Sequence, residues 1–189
     1  MNLPTSIPST DTQLLALVDR VQQAAARKTP LCLRGSGSKR FYGEAEQGEP
    51  LEVRGLTGVS SYEPTELVVT VRAGTPLAEL EALLAGQGQC LAFEPPHFGP
   101  AEHGGGTVGG MVAAGLAGPS RAAVGSVRDY VLGASVLNGR GEVLSFGGQV
   151  MKNVAGYDVS RVLAGSMGVL GVICEVSLKV LPRPPASLT

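Results

Sequence analysis

Backbone without side chains is what this sequence offers in excess: 27 of its 189 residues are glycine, gathered in clusters between segments of regular hydrophobic period. Glycine lets main-chain N–H groups come close to a bound group and accepts positive φ, so repeated clusters predict loops wrapped around a ligand. A fold with many tight turns is the plainer reading of the same residues. Aromatic side chains make up only 4% and Trp is absent, so the backbone itself is the part put to use.

The remaining composition bounds the class. With 43% hydrophobic residues the chain can bury one substantial core or two small ones packed together. Its 15 basic and 16 acidic residues leave a formal charge of -1, which creates no field for nucleic acid or an anionic membrane. The first six residues have neither a basic nor an apolar leader character, and the most apolar stretch, residues 107–118, is too short to span a bilayer. A cytoplasmic chain with no transmembrane segment is expected. Cys32, Cys90 and Cys174 are odd in number, far apart and set among apolar neighbours, as free core thiols in a reducing compartment are.

Thr10 with Gln13 forms a capping-box pattern, and Leu14, Leu17, Val18 and Val21 recur at helical spacing, predicting an amphipathic helix over residues 11–26. A short strand over 31–33 runs directly into the loop Arg34, Gly35, Ser36, Gly37, Ser38, Lys39, and the next strand is expected at 51–53. Residues 67–73 read as a strand; Thr75 as N-cap and Pro76 at N1 then open a helix through Leu77, Leu80, Leu83 and Leu84 that Gly86 ends. A strand over 89–93 is broken by Pro95 and Pro96, and Gly104, Gly105 and Gly106 lead into a small-residue helix over about 108–116. Residues 131–137 and 142–146, joined by Asn138, Gly139, Arg140 and Gly141, predict a hairpin. A short helix over 158–164 is capped by Gly165. Val172, Cys174, Val176, Leu178 and Val180 then alternate with Glu175, Ser177 and Lys179 as a half-buried strand does. The result is an α+β chain whose folded domain spans 1–181, in two subdomains at about 1–73 and 90–181. Pro182, Pro184 and Pro185 make 182–189 a Pro-rich linker or the truncated start of a further domain.

Two loops carry the chemistry. Gly35, Ser36, Gly37 and Ser38 follow a strand and offer consecutive backbone donors with two hydroxyls, flanked by Arg34, Lys39 and Arg40, which is an anion-binding nest. Arg40 stands where a dinucleotide fingerprint needs its third glycine, and no Walker-type glycine and lysine pair is present, so a Rossmann NAD site and a P-loop are both disfavoured. Read alone, the loop also fits an ordinary turn. The second cluster, from Gly106 through Thr107, Gly109 and Gly110 to Gly118, opens a helix whose first N–H groups could face a phosphate; close packing of small residues accounts for much of it equally well.

Several segments then point one way: residues 33–39, 62–66, 74–77, 94–99, 107–119, 125–133, 150–160 and 165–184. The most specific are Gly125, Ser126, Val127, Arg128, Asp129, Tyr130 and the run Met151, Lys152, Asn153, Val154, Ala155, Gly156, Tyr157, Asp158. Together they resemble FAD-binding domains of the vanillyl-alcohol oxidase and p-cresol methylhydroxylase type, and within that family the flavin-binding subunits of bacterial glycolate oxidases. The resemblance implies a small parallel subdomain and a larger, mainly antiparallel one clasping an extended FAD. It places Gly35, Ser36, Gly37 and Ser38 on the pyrophosphate, with Lys39 nearby and Thr107, Gly109 and Gly110 on the other side. It sets Pro95, Gly118 and Ser126 along the flavin and ribityl chain, and Gly171, Val172 and Ile173 toward the adenine or ribityl region. Ser36 and Ser38 occupy the neighbourhood where some relatives carry a tethering histidine, so the FAD is expected to be noncovalent.

The same resemblance implies a 2-hydroxy acid substrate such as glycolate, a C-terminal cap domain that supplies the substrate groups, and membrane association only through partners: a second flavoprotein subunit and an iron-sulfur subunit. No catalytic residue is assigned, and the chain is not expected to turn over glycolate alone. His97, His103, Glu94 and Glu102 can be drawn together, but their spacing fits no standard metal site, so none is expected. Three alternatives stay open: an electron-relay or assembly subunit, another flavin-dependent 2-hydroxy acid dehydrogenase such as a D-lactate dehydrogenase, and a nicotinamide-dependent enzyme.

Overall fold

The computed structural model describes residues 11–99, 105–148 and 158–184. Its elements in chain order are α1 (Thr12–Arg27), β1 (Leu31–Arg34), β2 (Glu49–Glu52), β3 (Val59–Glu63), β4 (Val68–Arg72), α2 (Leu77–Gly86), β5 (Gln89–Cys90) and α3 (Val108–Ala114). They continue with α4 (Arg121–Val124), α5 (Val127–Tyr130), β6 (Val131–Leu137), β7 (Val143–Gly147), α6 (Val159–Val162), β8 (Val172–Lys179) and β9 (Leu181–Pro182). The strands form a parallel pair β1-β2, a five-stranded sheet in the order β3-β4-β8-β6-β7, and a small antiparallel pair β5-β9. All neighbours within the five-stranded sheet are antiparallel. This is the expected α+β class with a small parallel and a larger antiparallel sheet. The parallel pair ends at Glu52, while residues 59–72 pair inside the larger sheet, across the grouping suggested by sequence.

Helix α1 buries Leu17, Val21 and Ala24 at i, i+4 and i+7, the stripe that its period predicts. Its cap is one residue later than the sequence pattern suggested. The Asp11 carboxylate accepts the N–H groups of Gln13 at 2.9 Å and Leu14 at 3.3 Å, while Thr10 lies outside the described residues. The same carboxylate pairs with Arg72 at the end of β4, so one side chain caps the helix and ties it to the sheet. Asp11→Ala is expected to cost about 1–2 kcal/mol, mostly through the lost cap because the ion pair is partly exposed. A lower urea midpoint at unchanged slope is the expected reading.

Strand β8 departs from the half-buried expectation. Val172, Ile173, Cys174, Val176, Ser177 and Leu178 are all buried, because both faces are covered. Val176 and Leu178 belong to a core with Leu77, Leu80, Leu84, Phe93 and Val112; Val172 and Cys174 join Leu17, Val21, Leu51 and Leu137 on the side of α1 and the parallel pair. Ser177 escapes a buried-polar penalty through a 2.9 Å contact with the Thr70 hydroxyl across the β4-β8 ladder.

Burial also pushes the Cys174 thiol up to about 12. A free thiol ionises near about 8.5 in an unfolded chain, so full stability holds below that value and is lost as pH climbs from there through the folded value. Cys174→Ala is expected to flatten that alkaline loss, read as urea midpoints on either side of about pH 9. The other two thiols are free but only half-buried, so they are not core residues.

Two further elements differ locally, and the expected hairpin forms. Thr75 does not cap α2: its hydroxyl donates to Gly58 O at 3.2 Å and accepts Gly58 N–H at 3.0 Å, leaving Pro76 at the N-cap position. The strand expected over 89–93 closes after Cys90, paired with Leu181 in β9, so Pro182 lies in a strand. The hairpin forms as Leu137↔Val143 through Gly133↔Gly147, its turn closed by Asn138 Oδ1 accepting from Arg140 N at 2.9 Å and Glu142 N at 3.0 Å.

Candidate functional site

Strand β1 delivers the chain into residues 35–39 at the rim of the parallel pair, and the loop tightens with Arg40 N donating to Gly37 O at 3.3 Å and Tyr42 N to Lys39 O at 2.9 Å. Gly37 has φ +72°, a conformation glycine adopts freely. Among the described residues, the N–H groups of Gly35, Ser36, Gly37, Ser38 and Lys39 have no acceptor. Five adjacent donors in one loop are thus left without a partner inside the described protein.

The facing wall is the start of α3. A Cβ on Gly35 would lie 2.9 Å from Thr107 Oγ1, and one on Gly106 would lie 3.3 Å from Ser38 Oγ and 3.5 Å from Lys39 Nζ. The two glycine clusters therefore meet, as the sequence reading required. Their contributions are unequal. Val108 N donates to Thr75 O, Gly109 N to Ala73 O, Gly110 N to Thr107 Oγ1 and Met111 N to Thr107 O, all within 3.2 Å. The N–H groups of residues 108–111 are therefore engaged within the protein, in contrast to the expectation that they face a phosphate, while those of Gly106 and Thr107 just before them have no acceptor among the described residues. Helix and strand are stitched by Val108 N–Thr75 O and Leu77 N–Gly106 O, both 2.9 Å, beside the bridge between Pro76 and Thr107.

Between the walls lies a cavity of about 210 Å³ lined by Gly35, Ser36, Gly37, Ser38, Lys39, Thr107 and Gly110 among others. A second cavity of about 110 Å³ adjoins it, sharing Leu33, Gly35, Thr107, Gly110, Ala113 and Met167 and adding Gly109, Gly171, Val172 and Ile173. Eleven of the expected site residues thus line one groove. Pro95 lines a separate cavity of about 540 Å³ with Glu81 and His97. Gly118 packs under Glu94, where a Cβ would meet Glu94 Cβ at 2.7 Å, and Ser126 N and Oγ both turn to the Asp129 carboxylate. These three residues stand off the groove.

The electrostatics narrow the cation set. Glu46 folds back so that its carboxylate takes Arg40 Nη2 at 3.0 Å and Arg34 Nη2 at 2.7 Å; these hydrogen bonds, Arg40's first, hold the carboxyl below its usual range. Arg34 and Arg40 thereby share one carboxylate and keep a single net positive charge between them, while Lys39 alone of the three flanking cations has no carboxylate partner among the described residues. Burial lowers the Lys39 pKa, and its Nζ rests 5.3 Å from the centroid of the Phe98 ring. A partly desolvated ammonium beside five free amides suits a dianionic ligand. Glu46 and Met167 escaped the sequence reading. Glu46 has no local signal, since it matters only because a loop returns. Met167 sits at φ +52° in the groove wall, flanked by Gly165 and Gly168, which were a usable hint.

His97 does not gather with Glu94. Its Nε2 lies 2.8 Å from Glu81 Oε2, while Glu94 accepts Ser120 N–H at 2.9 Å; His103 and Glu102 are outside the described residues. No group of three metal-ligating side chains occurs among the described residues, and no described helix is long and apolar enough to cross a membrane.

A groove lined by a donor loop after a parallel strand and by a small-residue helix edge defines a nucleotide-cofactor domain. The chain belongs to the FAD-binding domain family, whose model matches residues 9–147. It is 56% identical over 174 residues to glycolate oxidase subunit GlcE of Escherichia coli (strain K12), a match that takes in 92% of this chain and 49% of that protein. It is also 30% identical over 164 residues to glycolate oxidase subunit GlcD of Bacillus subtilis (strain 168), covering 86% of this chain and 34% of that one. The chain thus spans half or less of the length of these relatives. The fold is shared with the solved structure of alkyldihydroxyacetonephosphate synthase, at a TM-score of 0.68 and 22% identity over 91% of this chain and 33% of that one.

Proposed function

We propose that this chain is the FAD-binding part of a glycolate oxidase subunit, holding the cofactor noncovalently with its diphosphate on residues 35–39. The observation that carries the reading is the row of five N–H groups, beside Lys39, that have no partner among the described residues. Thr107, Gly109 and Gly110 form the opposing wall, and Gly171, Val172 and Ile173 wall the apolar end of the groove, which suits the adenine or the ribityl chain. The flavin end is assigned to the segments of Pro95, Gly118 and Ser126, which Gly118 N–Phe93 O and Ser120 N–Glu94 hold together. Ser36 and Ser38 in the donor loop, and a His97 engaged with Glu81, support noncovalent attachment.

Bound FAD would supply a hydride acceptor at N5 for oxidation of a 2-hydroxy acid. This chain's own residues bind and orient the cofactor; the groups that hold the substrate carboxylate belong to the rest of the protein and to partner subunits, a second flavoprotein and an iron-sulfur subunit. Purified chain mixed with FAD and gel-filtered is expected to keep a flavin spectrum, and acid precipitation is expected to release all flavin to the supernatant. Protein that emerges colourless overturns the reading; flavin retained in the acid pellet overturns its noncovalent part. Glycolate added to the loaded chain with a dye acceptor is expected to give no turnover, and steady dye reduction would show that the chain is competent alone.

A further inference from the structure

In the loop between β5 and α3, the described residues make few backbone hydrogen bonds of their own. Pro95 and Pro96 donate nothing, and Glu94 at φ +49° turns the chain sharply. Its near limb is fastened by Gly118 N–Phe93 O and Ser120 N–Glu94 Oε2. Among the described residues, its far limb is fastened by Phe98 N donating to Gly105 O at 3.2 Å and by the 2.8 Å pair between His97 Nε2 and Glu81 Oε2 of α2. The imidazole also packs against Gly105, where a Cβ would come 2.1 Å from Nδ1. The next residue along, Phe98, turns its ring to Phe41 at 5.3 Å and under Lys39 Nζ at 5.3 Å.

Lys39 needs such a rest. Its ammonium is partly desolvated, has no carboxylate partner among the described residues, and hangs on a stem with four rotors to immobilise. We infer that the Glu81–His97 pair is a positioning device for the diphosphate cradle: by fixing residues 97 and 98 it keeps the Phe98 ring under Lys39 and so holds the ammonium over the free amides of residues 35–39. Glu81 sits on α2 and lines a different cavity, so it conditions the groove without touching it. The inference rests on reading that groove as an FAD diphosphate site.

A mutant cycle on the full chain tests it, with FAD affinity read by quenching of flavin fluorescence. Glu81→Gln is expected to weaken FAD about fivefold, the ceiling for a half-exposed pair. Lys39→Met is expected to weaken it tenfold or more. The double variant should bind like Lys39→Met alone, because a pair that acts through the ammonium has nothing to act on once the ammonium is gone. Reversing the pair, Glu81→Lys with His97→Glu, should restore affinity to within about twofold of wild type. Wild-type affinity in Glu81→Gln, or a fivefold loss that persists on the Lys39→Met background, overturns the inference in favour of plain loop packing. If thermal melting shows Glu81→Gln to be unfolded, Phe98→Leu replaces it in the same cycle with the same expectations. A wild-type chain that takes up no FAD removes the reading of the groove itself, a different failure.

Discussion

Valine at position 35 is expected to lower FAD affinity at least a hundredfold, a loss of about 2.7 kcal/mol, while leaving the chain folded. Gly35 lies outside the left-handed region, so a side chain there does not by itself strain its backbone. The obstacle is what it faces. Its Cβ would stand 2.9 Å from Thr107 Oγ1 and 3.7 Å from Thr107 Cγ2, at the junction where the two cavities share Gly35, Thr107 and Gly110. Two further methyl groups would close that junction and displace a diphosphate from the amides of residues 36–39. Calorimetric titration with FAD, beside a thermal melt, reads both halves of the prediction. Affinity within about threefold of wild type would mean that the cofactor does not cross this junction.

Gly109→Val should instead damage the fold, by about 3–5 kcal/mol. Helix α3 lies directly on the end of β4: a Cβ at Gly109 would meet Ala73 Cβ at 2.6 Å and Ala73 O at 3.0 Å, while Gly109 N already donates to that oxygen at 2.7 Å. Ala73 cannot yield, since its N–H is held by Cys174 O in the central strand at 2.9 Å. The helix must move out, which strips the contacts of Val108, Met111 and Val112, all nearly or fully buried, and breaks the stitches to Thr75 and Ala73. Valine's better helix propensity returns under about 1 kcal/mol. For a chain of this length the thermal midpoint should fall by roughly 10 °C. A fall of only a degree or two would show that α3 is not wedged in this way.

Elements whose signals are local were legible in the sequence. The α1 stripe, the Asn138 turn and the valine-rich β4 all appear within a residue or two of their expected places, because helical period, side-chain-to-backbone turns and strand alternation act over a few neighbours. Elements that depend on distant partners were not. Strand β8 alternates in sequence, yet Val172 and Cys174 pack toward α1 and the parallel pair while Val176 and Leu178 pack into the other core, since a register shift against β6 at Cys174 carries the apolar residues from one face to the other. Thr75 looked like a cap, but a Gly58 amide and carbonyl, seventeen residues away, compete successfully for its hydroxyl.

The site divides in the same way. By itself, the sequence determined that residues 34–39 are a donor-rich loop after a strand and that a second glycine cluster opens a helix, because both properties reside in glycine and in chain order. Only the tertiary structure decided which of those donors remain free. It spends the amides of α3 on Ala73, Thr75 and Thr107, leaves those of residues 35–39 without an acceptor among the described residues, and offsets one of the two charges of Arg34 and Arg40 with Glu46. Hydrogen-bond and charge satisfaction are set by which segments meet in space, so a motif can offer binding groups while only the packed chain determines how many are left to bind with.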